Sequence, residues 1–128
     1  MKKIIIAFVL VYLCMVYTVN ADELELHSMK ATAYCLKGKT ASGEYTREGI
    51  CASKLEWIGK TAAIYRNDNG TIGDFLGYYD IKDTGGESIR KGYVIDIWME
   101  KYEDCKQFGN PNVFVLIIED ESCQQVTE

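Results

Sequence analysis

Two aspartates sit in the patterns of this chain that are most suggestive of chemistry. Asp83 opens the run Asp83-Thr84-Gly85-Gly86, and Asp96 stands in the middle of Val94-Ile95-Asp96-Ile97-Trp98. Glycines at 85 and 86 let the backbone turn sharply or approach a ligand closely. A strand over 94–98 places Val94, Asp96 and Trp98 on one face, with Ile95 and Ile97 on the other. A lone carboxylate on such a face is costly to bury unless a neighbour pairs with it or donates to it. Burial also raises its pKa, which is what a general acid working near neutrality needs. The chemistry on offer is therefore proton donation to a leaving group. An architectural reading stands beside it, in which Asp96 caps amides of the Gly85-Gly86 turn and Asp83 does the same nearby. The two roles are compatible.

The elements that must position these residues are mostly short strands. Met29 to Cys35 alternates and is rich in strand formers. Lys37 to Glu48 is glycine, hydroxyl and charge, which reads as a long surface loop. Trp57 to Tyr65 reads as a strand. Asp68-Asn69-Gly70 is a hairpin turn signal, because Asn-Gly tolerates positive φ at low cost. The glycosylation sequon Asn69-Gly70-Thr71 is incidental to that turn. Phe75 to Ile81 alternates again, and Gly92 to Trp98 is a compact strand. Glu100 to Phe108 is the one convincing helix. Val113 to Ile118 is an apolar run of strand length, expected to be buried on both faces. The expected fold class is mainly β, a small closed barrel with one short helix.

The N-terminus carries an export signal. Lys2 and Lys3 precede a nearly unbroken apolar run from Ile4 to Tyr17, and Val19-Asn20-Ala21 offers small residues where a signal peptidase reads. The run is shorter than the roughly 20 residues of a membrane span. Cleavage after Ala21 is expected, leaving a polar, flexible lead over 22–28, a barrel domain over 29–120 and a tail over 121–128. Bulky Leu13 before Cys14 argues against a lipidation site.

The formal net charge of -5 argues against nucleic acid as a partner, since phosphate binding needs a clustered basic face. Cys14 leaves with the signal peptide, and Cys35, Cys51, Cys105 and Cys123 remain. Four cysteines in an exported domain point to two disulfides. Spacing alone does not choose among the three pairings. Joining near neighbours gives Cys35 with Cys51 and Cys105 with Cys123 as the expectation. No pair has CxxC spacing, and the single histidine, His27, falls in the flexible lead, so no metal is expected.

One family brings these patterns together. The matching segments are Thr32-Ala33-Tyr34-Cys35, Thr40-Ala41-Ser42-Gly43, Gly49-Ile50-Cys51-Ala52 and Ile58-Gly59-Lys60-Thr61. They continue through Asp83-Thr84-Gly85-Gly86, Ile95-Asp96-Ile97-Trp98 and a final FGN then VFVLII. On these, over roughly residues 29 to 118, the chain resembles the three-aspartate (3D) domain family. Its relatives include the catalytic domain of membrane-bound lytic transglycosylase A and, more distantly, rare lipoprotein A and expansins. The resemblance implies a six-stranded double-psi β-barrel acting on peptidoglycan glycan strands. It implies cleavage between N-acetylmuramic acid and N-acetylglucosamine, leaving a 1,6-anhydro end. Asp96 matches the general acid and then base, and Asp83 the aspartate that supports it. Thr84, Gly85, Gly86, Lys60 and Trp98 lie in matched motifs and are the expected substrate contacts. No cofactor is implied, and a monomer in the bacterial cell wall is expected. The family's first aspartate, in an Ala-x-Asp-Pro segment, has no counterpart in Ala52-Ser53-Lys54-Leu55-Glu56-Trp57; Glu56 and Ser53 are the candidate stand-ins. The interval from Asp83 to Asp96 is about two residues longer than the family pattern.

One acid suffices for that reaction. It protonates the departing glycosidic oxygen and then accepts the proton of the sugar's own 6-hydroxyl as that hydroxyl attacks the anomeric carbon. An internal nucleophile removes the need for a second carboxylate to activate water. Two other function classes compete. A non-catalytic, expansin-like wall- or glycan-binding module would keep the barrel and use aromatics such as Tyr45, Tyr78, Tyr79 and Trp98 against sugars. An aspartic protease would use Asp83-Thr84-Gly85, but such enzymes need two of these motifs at one site and this chain has one.

Overall fold

The computed structural model describes residues 25–119. The expected signal peptide (1–21), the tail (121–128), Cys14 and Cys123 lie outside the described residues.

The chain is mainly β. Its strands are β1 (Leu26–Tyr34), β2 (Ile50–Ala52), β3 (Thr61–Asp68), β4 (Thr71–Asp83), β5 (Val94–Trp98) and β6 (Asn112–Ile118). A 3-10 turn spans Leu55–Trp57, and two short helices, α1 (Glu87–Arg90) and α2 (Tyr102–Phe108), flank β5. The strands form one six-stranded sheet in the order β1-β5-β2-β4-β3-β6, and β6 pairs back onto β1. The β1/β5 and β2/β4 pairs are parallel, and the remaining pairs are antiparallel.

Strand alternation builds the core. Met29 and Ala31 of β1, Ala62 and Ile64 of β3, Ile95 and Ile97 of β5, and Val113 and Val115 of β6 all point inward. Cys51, Ile81 and Trp57 complete the packed cluster. The β3–β4 hairpin turns where Asn-Gly predicts it. Asp68 pairs with Thr71, and the two residues between them have positive φ, 51° at Asn69 and 90° at Gly70. That is the backbone a two-residue hairpin turn demands. Asn67 Oδ1 accepts the Gly70 amide at 2.6 Å and closes the turn.

Several elements differ from expectation. Leu26–Ser28, expected in a flexible lead, are already β1 and pair with Leu116, Val115 and Phe114. His27 is therefore held in a strand, its ring 4.9 Å from that of Trp57. Trp57 itself lies in the 3-10 turn, and β3 starts only at Thr61. A second helix, α1, joins the one expected, and α2 begins at Tyr102. β6 is buried on one face: Val113 and Val115 are inside, while Phe114 and Leu116 are only partly covered. The Cys35–Cys51 pairing is not formed. Both are free thiols, because the Cys51 side chain packs into the core from β2 while Cys35 lies half-buried just beyond β1.

Candidate active site

Register brings the two aspartates together. Thr32 of β1 pairs with Asp96 of β5, Asp96 pairs with Ala52 of β2, and Ala52 pairs with Asp83 of β4. These four residues form one row across four adjacent strands. Neighbouring strands lie about 4.8 Å apart, so the row sets the backbones of the two acids about 10 Å from each other. The residue between them is an alanine, buried at 3% exposure. A register shift between Cys51 and Ala52 brings Ala52 opposite Asp83. The alternation expected of β5 holds: Ile95 and Ile97 enter the core, and Asp96 points to the other face, where it is half-buried.

Asp96 has a single hydrogen-bonding partner among the described residues. The Thr32 hydroxyl donates to its Oδ1 at 2.8 Å. Partial burial, and then the negative charge of Asp83, raise the Asp96 carboxyl above the usual aspartate range; the Thr32 bond works in the opposite direction. Such a group keeps its proton to higher pH than an exposed aspartate and leaves its second oxygen free to act.

Asp83 is held very differently. Its Oδ1 accepts the amides of Ala41 at 3.0 Å and Thr84 at 2.9 Å, and its Oδ2 accepts the Tyr34 hydroxyl at 3.3 Å. Burial, and Asp83 beside it, push the Tyr34 phenol well above its ordinary value, so it remains a donor. The Thr40-Ala41-Ser42-Gly43 loop supplies the Ala41 amide. Thr40 is buried, its hydroxyl bonds the Glu44 carbonyl at 2.8 Å, and the Ser42 amide donates to the Lys82 carbonyl at 2.9 Å. The loop is thereby tied down on both sides of Ala41. Capping of backbone amides thus falls to Asp83, and Asp96 does not share it.

The other expected site residues have mixed placements. Thr84 follows Asp83 directly, and its hydroxyl is buried with no partner among the described residues; the same holds for the Ser53 hydroxyl, while the Ser53 amide donates to the Asp83 carbonyl. Gly85 packs against Ile89 so closely that an added Cβ would come within 2.6 Å of Ile89 Cδ1. Gly86 is the N-cap of α1. Lys60 stands apart from the row, its Nζ 2.9 Å from Glu119. Trp98, expected to contact substrate, is only 5% exposed, and its Nε1 donates to the Leu36 carbonyl at 2.9 Å. It is a packing residue that secures the segment after β1. The side chain of neither stand-in bonds to the row: Glu56 is exposed and paired with Lys54 at 3.4 Å, and Ser53 is wholly buried.

Thr32, Tyr34 and Ala52 are the site residues that reasoning from the sequence did not single out. Thr32 and Tyr34 lie two apart on β1, so one strand face delivers both hydroxyls, one to each acid. No group of three or more His, Cys, Asp or Glu side chains among the described residues converges to hold a metal ion. No protein-family model matches the chain, and no curated protein shows significant similarity to it.

Proposed function

We propose that this chain is an exported peptidoglycan-cleaving enzyme, a lytic transglycosylase built on a double-psi β-barrel. The cyclic strand order, with its two parallel pairs β1/β5 and β2/β4, supports the barrel. The observation that carries the activity is the unequal treatment of the two acids. Asp96 is half-buried, raised, and held by one donor on one oxygen. Asp83 is committed to three donors. This division suits a reaction that needs one proton-transferring carboxyl. Asp96 donates its proton to the glycosidic oxygen as the bond to the anomeric carbon breaks. The resulting carboxylate takes the proton of the 6-hydroxyl as that oxygen closes on the same carbon. Asp83, holding Tyr34 and the loop at Ala41, fixes the wall of the site, and its negative charge adds to the effect of burial in raising the Asp96 carboxyl. The destination is the bacterial cell wall, and the working partner is a glycan strand.

A binding module is the second reading, favoured by the lack of an aspartate in the Ala52–Trp57 segment and by Tyr45 and Tyr78, which are 73% and 63% exposed. The two separate in one experiment. Purified mature protein and its Asp96→Asn variant are incubated with peptidoglycan, and mass spectrometry looks for 1,6-anhydro-muropeptides. The enzyme reading expects product from the wild type and none from the variant. No product at high enzyme loading, with retention on insoluble wall, establishes the module instead.

A further inference from the structure

We propose that Cys35 and Cys105 form a disulfide that clamps α2 to the site end of β1. Cys35 follows Tyr34, the last residue of β1, and its neighbours are fixed by two bonds: the Met99 amide to the Tyr34 carbonyl and Trp98 Nε1 to the Leu36 carbonyl, both at 2.9 Å. Cys105 lies on α2, and α2 packs against β1. Burial, and then the neighbouring Cys35 thiol, raise the Cys105 thiol above its ordinary value. Both are half-buried, so an oxidant can reach them. Cys51 is the opposite case, 0% exposed and surrounded by core side chains.

The chemistry is a two-electron oxidation by thiol–disulfide exchange with a disulfide-bearing oxidant. One of the two thiols loses its proton and attacks a sulfur of the oxidant, which releases one oxidant thiol and leaves a mixed disulfide. The second cysteine, deprotonated in turn, attacks the protein sulfur of that mixed bond. The Cys35–Cys105 bond forms as the second oxidant thiol leaves. The protein gives up two electrons and two protons, and the oxidant is reduced to two thiols. A bond between these positions closes a loop of about 70 residues, in the range where cross-linking restricts the unfolded chain most. It also anchors the segment next to Tyr34, and so the donor that Asp83 holds. The inference is independent of the catalytic reading.

The protein is exposed to oxidised glutathione, alkylated with N-ethylmaleimide and digested with trypsin without reduction. Trypsin separates Cys35, Cys51, Cys105 and Cys123 onto Ala31–Lys37, Glu48–Lys54, Tyr102–Lys106 and 107–128. The expected result is one linked species joining the first peptide to the third. A link from Cys35 to Cys51, a link from either proposed partner to Cys123, or maleimide on both Cys35 and Cys105 would overturn the proposal. In parallel, Cys35→Ser and Cys105→Ser should each lower the Tm of the oxidised protein by about 20 °C. The double variant should lose no more than either single one, and reductant should bring the wild type down to the same value. Single variants that melt with the oxidised wild type refute the clamp.

Discussion

Asp96→Asn should make the protein more stable near neutral pH while it removes glycan cleavage. Asparagine keeps the volume of aspartate, and its Oδ1 can still accept the Thr32 hydroxyl that now bonds Asp96 at 2.8 Å. What disappears is a half-buried negative charge close to that of Asp83. The sign follows from linkage. The folded pKa of Asp96 lies above its unfolded value, so the folded state binds more protons in the window between the two. Stability is full below the unfolded value and falls as pH rises through the folded one. Above that window the wild type carries the whole cost of an ionised Asp96, and the variant carries none. A single stabilising substitution is typically worth about 0.5–2 kcal/mol. For a domain of this size each kcal/mol moves Tm by about 4–8 °C. Thermal melts at about pH 7 should show that gain, and melts at about pH 3, below the ordinary aspartate value, should show it closing. Cleavage should fall by about 10²–10⁴-fold, the contribution typical of a positioned acid. A variant that melts at or below the wild type near neutrality, or a gap that persists in acid, refutes the assignment of Asp96 as a destabilised acid.

Thr32→Val removes the one bond that favours ionised Asp96, so the alkaline limb of the pH profile of kcat/KM should move upward; a downward movement counts against the pairing. Asp83→Ala leaves three donors without their acceptor, which should destabilise by about 1–3 kcal/mol and speed hydrogen exchange at the Ala41 amide; unchanged exchange there would show that the loop is held by other contacts. Ile64→Ala opens a cavity at a fully buried position of β3 and should cost about 2–5 kcal/mol by denaturant melt.

Much of this arrangement was legible where the local pattern decides the outcome. Ile95 and Ile97 alternate with Asp96, and alternation alone puts the acid on the opposite face. Asn69-Gly70 can turn a hairpin unaided. The failures have a common cause. β2 has three residues and all are buried, so no alternation marks it as a strand. α1 is a single turn, too short to show a period. Trp98 shares the strand face of Asp96, yet the segment after β1 folds over it and buries it. Cys35 and Cys51 are near in sequence, but Cys51 packs into the core from β2 while Cys35 lies beyond the end of β1. Each of these outcomes depends on which strand lies alongside which, and such pairing is absent from any local window.

The same dependence governs the site. Thr32 becomes a partner of Asp96 only because β1 and β5 run parallel in a register that sets position 32 beside position 96. The register that aligns Thr32 also places Tyr34 beside Trp98, from where its hydroxyl reaches Asp83 on β4. One face of β1 therefore serves both acids, opposing the rise in the pKa of one and orienting the other. A slip of one residue would turn both hydroxyls to the opposite face and leave Asp96 without its donor. Ala52 stands between the acids in the same row, pairing with Asp96 on one side and Asp83 on the other. The different settings of the two aspartates thus follow from the strand register that gives them different neighbours.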